Sequence, residues 1–231
     1  RLIEGWRRDD GTHMAAVEIR MAPGWKTYWR APGDGGIPPR LALDAGTVRI
    51  HWPRPEVFYT GSMRSIGYVE DVLLPIEIEV PAGAQTVAGR LEIGVCLDIC
   101  LPVELALTAT LPDGGRPDPR IVAALADRPL SAAEAGVGAA TCRVRPISDG
   151  MQVEARLPIP QTDGGAEVVV ELPDPSIWIS DPATARDGGA LIATADIVPA
   201  DAGPFALDRS DLRFTVLYGG MAVEIEGCSA G

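Results

Sequence analysis

The chain has 231 residues, of which 46% are hydrophobic, and its formal net charge is −12. The negative charge argues against binding to nucleic acid or to an anionic membrane surface, because both require a basic protein surface. The hydrophobic content is sufficient for a packed core, and the length exceeds one sandwich of about 100 residues but suits two. No apolar run approaches the ~18 residues of a membrane-spanning helix, so we expect no membrane span in this chain.

Glycine and proline, with 26 and 21 residues, separate short segments in which apolar and polar residues alternate. This pattern is typical of an all-β protein. In the first half it predicts strands at 13–22, 26–30, 40–43, 48–52, 72–80, 86–96 and 100–111. In the second half it predicts strands at 142–146, 151–157, 166–172, 177–179, 190–197, 212–218 and 221–227, with a two-residue hairpin turn at Gly219-Gly220.

Between the two series the composition changes. Residues 113–140 are rich in glycine, proline and alanine, and they contain one segment, 120–126, that favours a short helix of about two turns. We therefore predict two β-sandwich domains in tandem, at 1–112 and 141–231, joined by a linker at 113–140 that includes the helix.

The most informative feature is a pair of cysteines, Cys96 and Cys100, at the junction of two predicted strands. A three-residue connection suits a β-hairpin and places the two cysteines opposite each other, within the Cα separation that a disulfide requires. The flanking apolar residues occupy odd positions and the cysteines even ones, so we expect both sulfurs on the face turned away from the packed interior. The bridge would close a very small loop and constrain the unfolded chain little, which favours a chemical role over a structural one.

Four cysteines allow three pairings. The simplest joins Cys96 to Cys100, and Cys142, which opens the second domain, to Cys228 near its end. The second bridge would close a long loop, which the chain-entropy model values at about 4 to 5 kcal/mol. Such a structural disulfide indicates an oxidising compartment. Because the chain begins at Arg1, without an initiator Met or signal-peptide pattern, we expect an exported protein whose signal peptide has been removed.

Several ordered motifs resemble one family. They are Pro23 to Pro39 (PGWKTYWRAPGDGGIPP), Trp52-Pro53, Phe58-Tyr59 and Cys96-x3-Cys100-x-Pro102. Together they resemble the periplasmic N-terminal domain of DsbD-type transmembrane disulfide reductases, especially the branch called suppressor of copper sensitivity protein B. The resemblance covers residues 1–112 well, and the second half is similar only to the extra immunoglobulin-like domain of that branch.

The resemblance implies two immunoglobulin-like β-sandwich domains, the first with a redox-active cysteine pair and no cofactor. In this family the pair receives electrons from a membrane-embedded DsbD-type donor and passes them to periplasmic thioredoxin-fold proteins. A cap loop with an aromatic residue shields the pair until a partner displaces it, and Phe58, with Tyr59 beside it in a segment rich in turn formers, occupies the matching place. Cys100 resembles the cysteine that attacks the partner. The resemblance thus implies a periplasmic thiol–disulfide oxidoreductase, although the residues alone leave enzymatic activity undecided.

The sequence departs from the family pattern in two ways. DsbD domains have a longer spacing between the cysteines, and they carry an acidic pair before the cap aromatic, where this chain has only Glu56. Asp98, between the cysteines, would disfavour a nearby thiolate by charge repulsion. Tyr28 and Trp29 would either pack beneath the hairpin or line a docking surface.

Two other functions stay open at this stage. Soft thiolates suit Cu(I), and His51, Met14, Met21 and Met63 fall in the same domain, so a copper-binding or copper-tolerance protein is one alternative. A non-catalytic immunoglobulin-like binding module with two inert disulfides is the other. The chain has only two histidines, which argues against a Ser-His-Asp hydrolase or a structural zinc site, and no metal motif is apparent. The relay hypothesis requires that the two sulfurs are not deeply enclosed.

Overall fold

Alternating segments punctuated by glycine and proline form antiparallel sheets in both halves of the chain. The structure is a computed structural model that describes residues 1–160, 165–202 and 205–231. The chain divides into two units, Arg1–Arg128 and Pro129–Gly231. Each unit contains one four-stranded and one six-stranded sheet, so the prediction of an all-β protein with two immunoglobulin-like sandwiches in tandem is confirmed.

The first unit contains strands β1 to β10. The four-stranded sheet has the order β1 (Leu2–Arg7), β2 (Thr12–Ile19), β8 (Val72–Glu79), β5 (Val48–Ile50). The six-stranded sheet has the order β10 (Cys100–Leu111), β9 (Gln85–Cys96), β3 (Lys26–Tyr28), β7 (Met63–Tyr68), β6 (Glu56–Thr60), and β4 (Arg40–Leu43) also pairs with β9.

A short helix, α1 (Pro119–Ala126), packs against the first unit. Asp118 caps it by accepting a hydrogen bond from the Arg120 amide, and Pro119 occupies its first turn, where no amide donor is needed. Ile121 is fully buried in a cluster with Met14 and Ala16 of β2. The helix therefore has tertiary contacts, and the two units divide after it, between Arg128 and Pro129.

The second unit contains strands β11 to β20. The four-stranded sheet has the order β11 (Leu130–Ser131), β19 (Met221–Glu226), β18 (Arg213–Tyr218), β14 (Glu167–Glu171). The other sheet has the order β15 (Trp178–Ile179), β17 (Ala190–Val198), β13 (Met151–Leu157), β12 (Thr141–Pro146), β20 (Ser229–Ala230), with β16 (Ala183–Asp187) also on β17. Gly219 and Gly220 form the predicted turn between β18 and β19, both with positive φ.

Six strands were not predicted: β1, β6, β7, β11, β16 and β20. The two-residue strands β11 and β20 are too short to show alternation. In β1, Gly5 lies at an irregularity in the pairing with β2, which interrupts the alternation. Its φ is +65°, and a Cβ there would lie 1.8 Å from the Met14 carbonyl oxygen, so only glycine fits. Among the described residues, no helix has the length and apolarity to cross a membrane.

Candidate redox site

The β9–β10 hairpin places the first cysteine pair. The turn is Leu97-Asp98-Ile99, and the pairing runs without a break from Cys100 opposite Cys96 to Leu111 opposite Gln85. Cys96 and Cys100 form a disulfide with a Cα–Cα distance of 4.1 Å. Pro102 has no N–H to donate, so its rung with Gly94 is of the non-hydrogen-bonded type. The cysteine rung, two residues along, is of the same type, in which opposed Cα atoms approach to about 4.5 Å.

The two sulfurs differ in accessibility, which corrects one expectation. Both cysteines share the predicted strand face with Arg90 and Glu92, which are exposed, but this face is covered at Cys96. Cys96 is 0% exposed, whereas Cys100 is only partly buried. The expectation that both sulfurs are free of enclosure is therefore wrong for Cys96. Alternation places a side chain on a face, but it does not reveal what distant segments cover that face.

Tyr28 of β3 is one of the covering residues. Its hydroxyl lies 2.9 Å from the Cys100 Sγ and 3.2 Å from the Gly35 carbonyl oxygen. A disulfide sulfur and a carbonyl oxygen can only accept, so the single hydroxyl proton of Tyr28 is shared between these two acceptors. Burial raises the pKa of Tyr28, which keeps this proton in place. A hydroxyl that donates to a sulfur favours the thiolate once the disulfide is reduced.

Two glycines make room for the Tyr28 ring. A Cβ on Gly94 would lie 2.8 Å from the ring atoms Cδ2 and Cε2, and a Cβ on Gly36 would lie 2.9 Å from Cδ1. Any other residue at either position would displace the ring. The turn-rich segment at 31–39 thus contributes to the site through Gly35 and Gly36, although its sequence indicates only turns.

Phe58 covers the pair from β6. Its ring centroid lies 6.0 Å from that of Tyr28, and it is buried in a cluster with Tyr28 and Cys96, against which Val69 and Cys100 also pack. The residue lies in a strand of the β6–β7 hairpin, not in a loop as predicted, because the turn residues that suggested a loop, Gly61 and Ser62, form only the hairpin tip.

The neighbours of Phe58 behave differently. Tyr59 is 57% exposed, because successive strand residues point to opposite faces, so its predicted shielding role is wrong. Glu56 shares a strand face with Phe58 but is exposed at the start of β6. Asp98 is exposed in the turn between the cysteines.

Trp29 belongs to the interior and not to a docking surface. It is 0% exposed, and the Arg30 guanidinium carbon lies 4.1 Å from its ring centroid. Trp29 follows Tyr28 directly, so the two aromatic side chains point in opposite directions. Tyr28 is the one of the two that contacts the cysteine pair.

Exposed apolar side chains surround Cys100. At the hairpin tip Leu97 is 40% exposed and Ile99 73%, whereas Leu101, which is 47% exposed, points to the opposite face of β10. Ile37 is also exposed, and its Cβ lies against Gly94. Large apolar side chains clustered on an exposed surface are typical of protein-binding sites.

The other two cysteines form the second disulfide, Cys142–Cys228, with a Cα–Cα distance of 5.7 Å and a sequence separation of 86. Cys142 is buried in the core of the second unit, and Cys228 packs against the same core. The bridge joins β12 to the segment that precedes β20.

Two of the residues considered for copper, Met14 and His51, have contacts away from the cysteine pair. Met14 is buried beside Ile121, and the His51 ring nitrogen Nε2 contacts a Glu77 carboxylate oxygen at 3.2 Å. Among the described residues there is no group of three or more His, Cys, Asp or Glu side chains arranged to hold a metal ion.

Sequence reasoning missed Lys26, Gly36, Gly94 and Val69 as members of the site. Lys26 could have been found from the sequence, because pairing between the predicted strands at 26–30 and 86–96 would bring it close to Cys96. Its Nζ lies 5.2 Å from the Phe58 ring centroid, and its partner in the β3–β9 pairing is Cys96. Gly94 could not have been found in this way, since it matters through its contact with the Tyr28 ring, almost seventy residues earlier in the chain.

Among known proteins, a family model matches the first half of the chain, and a solved structure is similar to nearly all of it. The sequence model of one family, described as thiol:disulfide interchange protein DsbD, N-terminal, matches residues 3–112, which confirms the resemblance found in the first half. The structure is similar to the crystal structure of the N-terminal periplasmic domain of ScsB from Proteus mirabilis. That match has a TM-score of 0.75 at 24% identity and covers 97% of this chain and 91% of that one. No curated protein sequence matches the chain.

Proposed function

We propose that the chain relays electrons through Cys96 and Cys100 to or from thioredoxin-fold proteins, on the premise that residues 3–112 match the family model of the N-terminal domain of the thiol:disulfide interchange protein DsbD. The observation that carries the proposal is the asymmetry of the pair. Cys96 is fully enclosed, and Cys100 is partly exposed and contacts the Tyr28 hydroxyl. The requirement that neither sulfur is enclosed is too strict, because the mixed disulfide needs one accessible sulfur and the enclosed Cys96 would act only within the protein, on Cys100.

The exchange proceeds through a mixed disulfide. In the reduced form the Cys100 thiolate attacks one sulfur of a partner disulfide, and the other partner sulfur leaves as a thiolate. Cys96 then loses its proton and attacks the Cys100 sulfur, which re-forms the Cys96–Cys100 disulfide and releases the partner as a dithiol. Two electrons and two protons pass to the partner, and the reverse sequence reloads the pair from a donor.

Phe58 has the position expected of the cap in this scheme. It is 7% exposed and packs in one cluster with Cys96, against which Cys100 is partly buried, so a partner that displaces it would gain fuller access to the Cys100 sulfur. The exposed side chains of Leu97 and Ile99 offer an apolar surface next to Cys100 on which a thioredoxin-fold partner could dock.

The compartment follows from the second bridge and the family. A buried structural disulfide with a long loop, Cys142–Cys228, supports an oxidising compartment, and the family supports the periplasm. There a membrane-embedded protein of the DsbD type would supply the electrons, and thioredoxin-fold proteins would receive them.

A potential titration and two cysteine variants test the function. Equilibration with glutathione or dithiothreitol buffers should reduce Cys96–Cys100 in the range of exchange proteins, about −270 to −120 mV, whereas an inert bridge resists reduction to below about −300 mV. The reduced Cys96→Ser variant should form a stable mixed disulfide with a thioredoxin-fold protein through Cys100. The Cys100→Ser variant, left with only the enclosed sulfur, should form none. A midpoint below −300 mV, or equal trapping by both variants, would overturn the proposal.

A further inference from the structure

Lys26 is the only lysine in the chain, and it lies at the redox site. It pairs with Cys96 across β3 and β9, and opposed residues of an antiparallel pair project their side chains on the same face with Cβ atoms about 4.5 to 5.5 Å apart. Its Nζ lies 5.2 Å from the Phe58 ring centroid, which is within the range of a cation–π contact. Lys26 therefore stands between the cap and the cysteine pair.

The surroundings of Lys26 contain little charge. The apolar cluster around the disulfide consists of Tyr28, Phe58, Val69 and the two cysteines, all uncharged when oxidised. Among the described residues, Tyr28 on β3 is the titratable member of this cluster besides the cysteines, and the exposed carboxylates of Glu56, Glu70 and Asp98 lie one or two residues from its members in the sequence. The next cation along the chain, Arg30, lies over Trp29. An ammonium group is thus held beside a pair of sulfurs that become anionic during exchange.

We propose that Lys26 is a positioning residue with two alternate partners, the Phe58 ring while the cap is closed and the cysteine thiolate once the cap is displaced. In the closed state its cation–π contact holds Phe58 over the disulfide. When a partner protein removes the ring, the ammonium loses that contact and stabilises the thiolate beside it, because a nearby lysine favours the ionised form of a thiol. Opening of the cap and activation of the thiol are then coupled through one charge. This inference rests on the proposed exchange function of the pair.

The test compares two reactions in Lys26→Met, which removes the charge but keeps the length of the side chain. In the oxidised protein the cap is weaker, so a neutral phosphine should reduce Cys96–Cys100 faster, by about two- to fivefold. The second reaction is measured in the reduced Phe58→Ala protein, where the cap is absent and Lys26 is free to pair with the thiolate. There Lys26→Met removes the cation, so neutral iodoacetamide should alkylate Cys100 about two- to fivefold more slowly at pH 7. The pH profile of alkylation should move to higher pH.

Two further variants complete the design. Lys26→Arg keeps the charge and the cation–π contact and should restore both rates. Arg90→Met removes a cation from the same face of β9, six residues or about 20 Å from Cys96, and should leave both rates unchanged. Opposite changes in the two rates support the inference, since general loosening of the packing would speed both reactions. Two unchanged rates, or two rates that move in the same direction, would overturn it.

Both measurements use small reagents and need no protein partner. They therefore report on Lys26 even if no thioredoxin-fold protein exchanges with the pair, a result that would overturn only the proposed function.

Discussion

The two disulfides should differ strongly in how much they stabilise the fold. In the chain-entropy model the contribution of a bridge grows as 1.5RT times the logarithm of the loop length. The sequence separations are 4 for Cys96–Cys100 and 86 for Cys142–Cys228. The model then gives a difference of about 2.5 kcal/mol in the free energy of unfolding, with the Cys142–Cys228 bridge contributing about 4 to 5 kcal/mol.

Paired alanine variants measure this difference. Each pair has one buried cysteine, Cys96 or Cys142, and one partly buried partner, so the packing losses are similar and largely cancel in the comparison. Each bridge also lies within a single unit. Hydrogen exchange read by mass spectrometry across a urea series follows the unfolding of each unit separately, with the untouched unit as the internal reference.

We expect Cys142→Ala/Cys228→Ala to destabilise the second unit by about 2.5 kcal/mol more than Cys96→Ala/Cys100→Ala destabilises the first. For units of this size, that corresponds to a difference of about 10 °C in melting temperature. The Cys142 variant should also exchange normally through Cys96 and Cys100. Equal costs, a larger cost for the first pair, or loss of exchange in a folded Cys142 variant would refute the division of roles.

Two other predictions concern the cap and the buried histidine. Phe58→Ala should speed reduction of the oxidised pair by a neutral phosphine about tenfold, since burial of a Phe side chain is worth about 1.5–3 kcal/mol. Tyr59→Ala, on the opposite face of β6, is the matched control. An unchanged rate in Phe58→Ala would refute the proposal that Phe58 caps the pair. His13 is 0% exposed, and its Nε2 donates to the Glu4 carbonyl oxygen at 2.6 Å. Desolvation lowers the pKa of His13 below 6.5, so the unfolded chain binds the proton more readily and stability should fall as pH decreases below 6.5. Urea unfolding measured from pH 7.5 to 5 should show this loss of stability, and the loss should be smaller in His13→Leu. An identical pH dependence of stability in the two proteins would contradict the role given to His13.

The hairpin at the redox site could be predicted because all of its information is local. Alternation fixes the two strands, and a three-residue connection leaves one register, in which Cys100 faces Cys96. The same reasoning gave the Gly219-Gly220 turn. Both features depend on residues that are neighbours in the sequence.

The covering of Cys96 could not be predicted, because it depends on three segments that are distant in the sequence. The Tyr28 ring reaches the pair only because Gly36 and Gly94 lack side chains, and Phe58 arrives on a strand of five residues with a single buried position. Alternation over such a short strand is too weak to separate it from a loop. Pairing between strands, which sequence patterns do not specify, decides which face is covered.

The short loop and the unequal burial of the sulfurs together suit a relay. A protein that cycles between oxidised and reduced forms has to be folded in both, and a bridge across one rung makes the free energy of unfolding depend less on the redox state than a bridge over a long loop would. Enclosure of Cys96 leaves Cys100 as the sulfur that a partner can reach, so a mixed disulfide forms at one position only. Cys96 then lies directly opposite that mixed disulfide and can resolve it without movement of the strands. A fully exposed pair would react with any thiol in the compartment, and a fully buried pair would react with none.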